Sequence, residues 1–356
     1  MRILVWHVHG GWMDAFVRGD HEYLVPTTAA RDGWGLGRAD RDWPDTVIEI
    51  APEDLRDADI DVVVLQRVEE LDVAEKLLGV RLGRDVPAVF VEHNTPRVDI
   101  PSSLHPLRDR DELCIAHVTH FNDLMWDCGS TPTTVVEHGV VDPGPLYTGA
   151  LERFGVVVNE PVRRTRVAGT DLIPAFARVA PVDVFGMGTE QLPDVLGLGD
   201  LVRGMGDVKP DPMHAQLAER RAYLHLNRWT SLGLSLLEAM HLAMPVVVVG
   251  TTEAARAVPP EAGAVSTDLR DLVATARHLA ADPDEARRRG LVAREAVLAR
   301  HSLERFLGDW DELLADARDR HLAAARVPVR TAVAAPGEVG ASIGNRAGDG
   351  NERNSA

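Results

Sequence analysis

Short runs of consecutive apolar residues alternate with longer amphipathic stretches along the whole chain. The runs in the first part are RILVWHV (2–8), VIEI (47–50), IDVVVLQ (60–66), PAVFVEHN (87–94), LCIAHVTH (113–120) and TTVVEHG (133–139). Those in the second part are FGVVVNE (154–160), VDVFGMG (182–188), RAYLHLN (221–227), MPVVVVGT (244–251) and AGAVST (262–267). Continuous Val- and Ile-rich runs are typical of strands buried on both faces of a parallel sheet. The alternation predicts an α/β fold with two doubly wound, Rossmann-like domains.

Breaks in this pattern divide the chain. The Pro- and Gly-rich stretch 142–153 follows the last apolar run of the first set, so we predict an N-terminal domain over 1–145 and a second domain over 146–300. Three helices are predicted between 268 and 325, the last capped by Ser302. That last helix gives a separate unit over 301–322, whereas 327–356 has few large apolar residues and is predicted to be disordered. The stretch 26–46 is predicted to be a long loop after the first helix.

Composition narrows the class of protein. A length of 356 residues suits two domains of roughly 150 residues each. Lys and Arg number 38 against 55 Asp and Glu, and the resulting net charge of −17 disfavours binding to nucleic acid or to an anionic membrane. The two cysteines cannot build a disulfide framework or a four-cysteine zinc site. With no apolar run of 18 residues and no secretory signal, we expect a soluble cytoplasmic protein.

Polar residues follow many of the predicted strands. These residues are His7, His9, Gly10, Gly11, Glu92, His93, Asn94, His117, His120, Glu137, His138, Asn159, Glu160 and the loop 186–188. Any one of the histidines is explained by a hydrogen bond at the edge of a sheet. Parallel sheets bind ligands beyond the carboxyl ends of their strands, and several polar residues at those ends in both halves favour a cleft between two domains.

The segment WTSLGLSLLEAMHLAMPVVVVGT (229–251) is the most informative one. Thr230 or Ser231 is predicted to cap a helix that begins near Leu232, with Gly233 in its first turn. Free amide groups and the helix dipole would make an anion site there. Glu238, about two turns further on, has the carboxylate that recognition of ribose hydroxyls requires. Spacing alone equally allows a helix packed on a sheet with Glu238 in solvent.

This segment resembles the donor-site signature of retaining glycosyltransferases of family 4, which have the GT-B fold. Their pattern is Glu, seven residues, Glu, then Ala-Met, a turn and Pro-Val-Val. Glu238 takes the place of the second Glu, which in the family holds the ribose of a sugar nucleotide. Thr230 stands where the family has its first Glu, which touches the donor sugar, and Ala243 replaces a Gly.

Other segments are similar to the same family. HGGW (9–12) resembles the glycine loop near the donor phosphates, which implies roles for Gly10 and Gly11, and VFVEHN (89–94) places His93 near the reaction centre. VVVNEPVRRTRVAGTDLI (156–173) resembles the segment whose Arg and Lys grip the diphosphate. Arg163 or Arg164 matches the Arg, Ala168 stands at the Lys, and Arg166 is its substitute. FGMG (185–188), which contains Gly186, resembles the loop bordering the nucleobase, and the helix after HSLERF (301–306) the one that crosses back to the first domain.

The resemblance implies a cytoplasmic hexosyltransferase that moves a sugar from a nucleotide-sugar donor to a hydroxyl acceptor with retention. The acceptor would be a carbohydrate, a lipid-linked molecule or a small molecule. No metal and no cofactor are expected. Positive potential at the leaving phosphate would come from 231–234 and from Arg163, Arg164 and Arg166, while His93 would hold the acceptor or a sugar hydroxyl.

Two alternatives stay open at this point. One is an isomerase or hydrolase on the same scaffold, such as a sugar-nucleotide epimerase. The other is a non-catalytic nucleotide-sugar-binding protein, which the departures at Thr230 and Ala168 keep in play. Metal binding through the several Asp-x-Asp pairs is disfavoured, because none of them follows an apolar strand.

Overall fold

The computed structural model describes residues 1–326, and side chains as far as residue 323. The predicted disordered tail, 327–356, lies outside the described residues.

The first parallel sheet is built from the N-terminal part of the chain. Within residues 1–326, it has seven strands in the spatial order β3-β2-β1-β4-β5-β6-β7. The strands are β1 (Arg2–Val5), β2 (Glu22–Pro26), β3 (Val47–Ile50), β4 (Val62–Leu65), β5 (Ala88–Glu92), β6 (Cys114–His117) and β7 (Thr133–Val135). The order reverses between β1 and β4, which makes this sheet doubly wound as predicted.

The second parallel sheet follows in the chain. It has six strands within the described range, in the order β10-β9-β8-β11-β12-β13, and reverses between β8 and β11. Its strands are β8 (Leu151–Val157), β9 (Val182–Phe185), β10 (Val202–Gly206), β11 (Arg220–His225), β12 (Val246–Val249) and β13 (Gly263–Ser266).

Helices cover both faces of the two sheets. The α-helices are α1 (Gly10–Phe16), α2 (Glu70–Leu78), α3 (His120–Met125), α4 (Pro161–Ala168), α5 (Ile173–Ala177), α6 (Leu192–Leu196), α7 (Pro210–Ala218), α8 (Leu234–His241), α9 (Ala254–Ala257), α10 (Leu269–Ala281), α11 (Pro283–Arg300) and α12 (Leu303–Arg326). Short 3-10 turns cover Pro52–Asp57, Ile100–Ser102, Thr170–Leu172, Gly199–Leu201 and Pro260–Ala262.

The core of each domain lies on the two faces of its sheet. In β1, Ile3 and Val5 belong to one apolar cluster and Leu4 to the cluster on the opposite face. The same alternation in β12 sends Val246 to one side and Val247 to the other. Both sets are buried because successive side chains of a strand point to opposite faces, and this explains why the strands are continuously apolar.

The last helix packs on the first sheet rather than on the second. Phe306, Trp310 and Leu314 of α12 belong to the apolar cluster that also contains Trp12 of α1. The rings of Trp12 and Trp310 meet edge to face with centroids 5.6 Å apart. At the start of α12 the hydroxyl of Ser302 accepts a hydrogen bond from the Arg305 amide, so the predicted cap is confirmed.

Two strands were not predicted from the sequence. β2 (EYLVP) interrupts the stretch expected to be only helix and loop, and its apolar run is short and ends in Pro26. β10 (VRGMG) carries two glycines and an exposed Arg203, so it lacks the continuous apolar pattern. The missed strands lie at or next to the edge of a sheet, where pairing with a neighbour supplies order that local sequence does not.

Two further features concern the apolar character of the helices and the state of the cysteines. Among the helices of residues 1–326, none is both long enough and apolar enough to cross a bilayer. Cys114 and Cys128 are buried and free.

The packing of α12 predicts a contrast between two leucines of that helix. Leu314 is fully buried, whereas Leu322 is 45% exposed. Leu314→Ala removes core contacts between α12 and the first sheet, and we expect it to lower the free energy of unfolding by about 2–5 kcal/mol. Leu322→Ala, the matched control, should change it by less than about 1 kcal/mol. Urea unfolding of both variants checks this, and equal small losses would show that α12 does not complete the first domain.

Candidate functional site

The candidate site lies where the carboxyl ends of the two sheets meet. Each sheet has its switch point there: the loop after β1 lies beside β4, and the loop after β8 lies beside β11. Switch points leave a crevice because the adjoining connections run to opposite faces of the sheet. The loops after β1, β5, β8 and β11 therefore supply the side chains of the site.

Two side-chain hydrogen bonds join the loop after β5 to the loop before α8. The Ser231 hydroxyl donates to the carbonyl of His93 over 2.7 Å. The Trp229 indole N–H donates to the carbonyl of Pro96, also over 2.7 Å. We call these two bonds the interdomain clasp. It brings residues 93–97 of the first domain against residues 229–231 of the second.

The glycine loop of the first domain also reaches α8. A Cβ added to Gly11 would lie 3.0 Å from Leu234 Cδ1, so the chain passes close to the first turn of α8. Leu234 itself packs against apolar clusters of both domains. Gly10 and Gly11, both predicted site residues, begin α1 at this point.

Buried polar groups hold the loop after β5 in place. The Glu92 carboxylate accepts the amide of Asn94 over 2.6 Å and contacts His105 Nε2 at 3.1 Å. The indole N–H of Trp126 donates to the carbonyl of Asn94 over 2.9 Å. These partners, together with the clasp, fix residues 93–97 although the loop has no regular structure.

Histidines from three loops lie close together: His9 follows β1, His93 follows β5 and His138 follows β7. The rings of His9 and His93 lie 4.0 Å apart between centroids, and those of His93 and His138 lie 6.4 Å apart. Burial, followed by the neighbouring histidines, lowers the pKa of His93 well below its usual value. Burial, then the charges of Arg67 and Arg97, lower the pKa of His9 to about 4. His93 is therefore a neutral ring at pH 7, suited to hydrogen bonding with an uncharged hydroxyl.

The start of α8 differs from the prediction. The helix begins at Leu234 with Gly233 as its N-cap residue, and no side chain caps it. Ser231 was predicted as a cap, but its hydroxyl is used in the clasp instead. Thr230 is half-buried, Leu232 is buried in the second core, and Gly233 lies against the His225 ring. The first amides of α8 are thus left without a side-chain acceptor from their own loop.

Glu238 comes one turn into α8, rather than two. Its carboxylate lies 3.6 Å from His214 Nε2, and its side chain is 22% exposed. The other predicted residue on this side, Gly186, has φ +126°, and a Cβ there would lie within 3 Å of the Val158 carbonyl. The loop 186–188 therefore lies tightly against the end of β8.

The three predicted arginines have different environments. Arg163 is 72% exposed and lies 3.7 Å from Glu160. Arg164 is partly buried, and burial, with the charges of Arg97 and Arg163, lowers the pKa of its guanidinium. Arg166 is 74% exposed and forms an ion pair with Asp171 at 3.0 Å. All three lie on α4, which has a non-helical residue at Thr165 (φ +33°).

Three residues at the site were missed by sequence reasoning. Trp229 forms half of the clasp, Arg97 donates to the Asn94 side chain over 3.0 Å, and Arg67 lies on the Trp34 ring at 4.0 Å. The sequence pattern does not single out any of the three. The only signal was position, since Arg97 directly follows the HNTP sequence at the end of β5.

No group of three or more His, Cys, Asp or Glu side chains that could hold a metal ion is found in the part of the chain that the structure describes. His117 and His120, which lie three residues apart, do not belong to such a group. His117 instead contacts the Cys128 thiol, with its Nε2 3.7 Å from the sulfur.

Comparison with known proteins identifies similar folds. Residues 163–312, less than half of the chain, match a family model described as glycosyl transferase-like. No curated protein sequence matches the chain. Sucrose-phosphate synthase from Thermosynechococcus elongatus superposes with a TM-score of 0.66 at 16% identity, covering 91% of this chain and 100% of that one.

Two further structures were solved with UDP. Anabaena HepE gives a TM-score of 0.65 at 13% identity over 89% of this chain and 100% of that one. TarM of S. aureus gives 0.58 at 14% identity over 71% of this chain and 55% of that one. Together with the two facing parallel sheets, these likenesses show that the chain has the GT-B fold, as predicted.

The histidine cluster predicts acid sensitivity of the folded state. The pKa of His9 falls from 6.5 to about 4 on folding, so below pH 6.5 the unfolded chain binds the extra proton and the free energy of unfolding decreases as the pH drops. Each such histidine contributes a slope of up to about 1.4 kcal/mol per pH unit between these values. Urea unfolding from pH 7 to pH 4.5 should show a smaller slope for His9→Asn. His278→Asn, at an exposed site on α10, should keep the wild-type slope, and an unchanged slope in His9→Asn would contradict the assignment.

Proposed function

We propose that the protein is a glycosyltransferase that moves a sugar from a nucleotide-sugar donor to a hydroxyl acceptor with retention and without a metal ion. One observation carries this proposal: the clasp brings the loop of the neutral His93 against the loop before the uncapped α8, and the charge of Arg97 on the first of these loops acts on Arg164 of α4. The glycosyl transferase-like match over 163–312 and the UDP-bound structures of similar fold support it.

Catalysis of this reaction requires positive potential at the leaving diphosphate. Negative charge grows on that group as the glycosidic bond breaks, so groups fixed before the reaction stabilise the transition state most. The N-terminus of α8 supplies amides and the positive end of the helix dipole. Arg163 and Arg164 add guanidinium groups that stay charged at every relevant pH. Loss of one such contact should cost on the order of 3 kcal/mol in the transition state.

Glu238 is proposed to bind the donor ribose. A carboxylate accepts hydrogen bonds from two neighbouring hydroxyls at once, which suits a ribose. The side chain is partly exposed and has only a 3.6 Å contact with His214, so it has acceptor capacity left for a ligand.

His93 is proposed to hold a sugar or acceptor hydroxyl. Its Nε2 is buried and has no hydrogen-bond partner among residues 1–323, which is costly unless a ligand provides one. A neutral imidazole does not repel a cationic transition state, and the lowered pKa of His93 keeps the ring unprotonated at pH 7. In front-face retention the leaving phosphate assists deprotonation of the acceptor, so no protein nucleophile is needed.

The two departures from the family pattern favour a second candidate, a nucleotide-sugar-binding protein without turnover. Thr230 has no carboxylate to offer a donor sugar, and Ala168 is buried and apolar. Measuring donor consumption distinguishes the possibilities. A transferase consumes the donor only when an acceptor is present, an epimerase converts it without an acceptor, and a non-catalytic binder leaves it unchanged. A panel of UDP-, GDP- and ADP-sugars screened by thermal stabilisation identifies the donor first, since a ligand that binds only the folded state raises Tm.

The ribose role predicts the effect of a single substitution. Glu238→Ala removes the acceptor for two hydroxyls and should weaken binding of the preferred nucleoside diphosphate at least about tenfold, equivalent to about 1.4 kcal/mol. Glu295→Ala, at an exposed position of α11, is the matched control and should leave binding unchanged. Calorimetric titration measures both, and a wild-type dissociation constant in Glu238→Ala would refute the role.

A further inference from the structure

Among the three predicted arginines of α4, Arg164 is the one without an ion pair within residues 1–323, because Arg163 lies 3.7 Å from Glu160 and is 72% exposed. Ala168, where the resembling family has a Lys, is 4% exposed and packs in the second core. Arg166, its sequence-predicted substitute, is paired with Asp171 at 3.0 Å. Arg228 also binds Asp171, at 2.6 Å, and donates to the Arg166 carbonyl. Arg166 is therefore fixed in a surface network rather than directed at a ligand.

Arg97 of the first domain lies on the opposite side of the same crevice. It directly follows Pro96, whose carbonyl is held by Trp229, and Trp229 follows Arg228, whose amide bonds to Val167 of α4. The clasp thus brings the loop that carries Arg97 close to α4. Arg97 donates to the Asn94 side chain over 3.0 Å, which limits where its guanidinium can lie.

Arg97 and Arg164 are also close enough to influence each other. The positive charge of Arg97 contributes to the lowered pKa of Arg164 across the crevice and to that of His9 on its own side. Among residues 1–323, neither guanidinium has an ion pair with a carboxylate; the hydrogen-bond partners are Asn94 for Arg97 and the Asn159 carbonyl for Arg164. Two neighbouring cations without counter-charge repel each other, and a bound anion between them removes that cost.

We propose that Arg97 supplies the second cation for the donor diphosphate, from the domain opposite to Arg164. The diphosphate would then be bound from both sides, and its site would be complete only while the clasp holds the two domains together. Arg97 would thereby link binding of the charged part of the donor to closure of the crevice. This inference rests on the proposed function, because it takes the ligand of the crevice to be a nucleoside diphosphate.

Calorimetric titration of the full chain tests the proposal with UDP, GDP, ADP, CDP and dTDP, and with the nucleoside that corresponds to the tightest of them. Arg97→Ala should weaken the diphosphate at least about tenfold, since it removes a charge-assisted contact. The same variant should change binding of the nucleoside by less than twofold, about 0.4 kcal/mol. Arg97→Lys, which keeps the charge, should lose less affinity for the diphosphate than Arg97→Ala. Arg84→Ala, exposed on the same domain, is the control and should bind like wild type.

The outcomes separate this inference from the proposed function. If the wild type binds a diphosphate and Arg97→Ala binds it with the same dissociation constant, the role of Arg97 is overturned and the proposed function stands. Equal weakening of diphosphate and nucleoside also overturns it, since a loss that ignores the phosphates is structural. Failure of wild type to bind any of the five diphosphates overturns both.

Discussion

The candidate site depends on the interdomain clasp between the loop after β5 and the loop before α8. The Ser231 and Trp229 side chains donate to the carbonyls of His93 and Pro96, and all four groups come from segments without regular structure. Buried backbone carbonyls need partners, so these bonds fix both loops as well as their separation. Ser231 is used in this contact instead of capping α8, so the first helix amides have no side-chain cap. The same contact therefore fixes the loop that carries His93 beside the uncapped N-terminus of α8.

The arginines proposed for the candidate site contrast with the net negative charge of the molecule. The chain has a net charge of −17, yet Arg97 and Arg164 are close enough for the charge of one to act on the other, and neither has an ion pair with a carboxylate among residues 1–323. The histidines behind them are held neutral by burial, since desolvation disfavours their charged form. Neutral rings beside fixed guanidinium groups avoid further repulsion among cations. An acidic exterior also disfavours adventitious binding of polyanions elsewhere on the surface.

Sequence patterns predicted the two doubly wound sheets because fully buried parallel strands are continuously apolar, and most of these strands are Val-rich. They failed at β2 and β10, whose order comes from pairing within the sheet. Within the site, the segments that carry His93, Arg164 and Glu238 were recognisable from local sequence. The partner of Ser231 lies 138 residues away, and the pairing of Arg166 with Asp171 depends on the turn after α4. Such contacts decide which candidate side chains are available to a ligand, and spacing along the chain does not encode them.

Placing the two proposed cations, Arg97 and Arg164, on different domains would affect how the donor is bound before reaction. If both cations came from α4, the donor would be bound equally well in open and closed arrangements, and water would reach the anomeric carbon of an open complex. With Arg97 on the first domain, the interaction free energy of the diphosphate includes a part that is available only on closure. In the proposed reaction, closure would also bring the neutral His93 to the sugar and exclude water, which would favour transfer over hydrolysis.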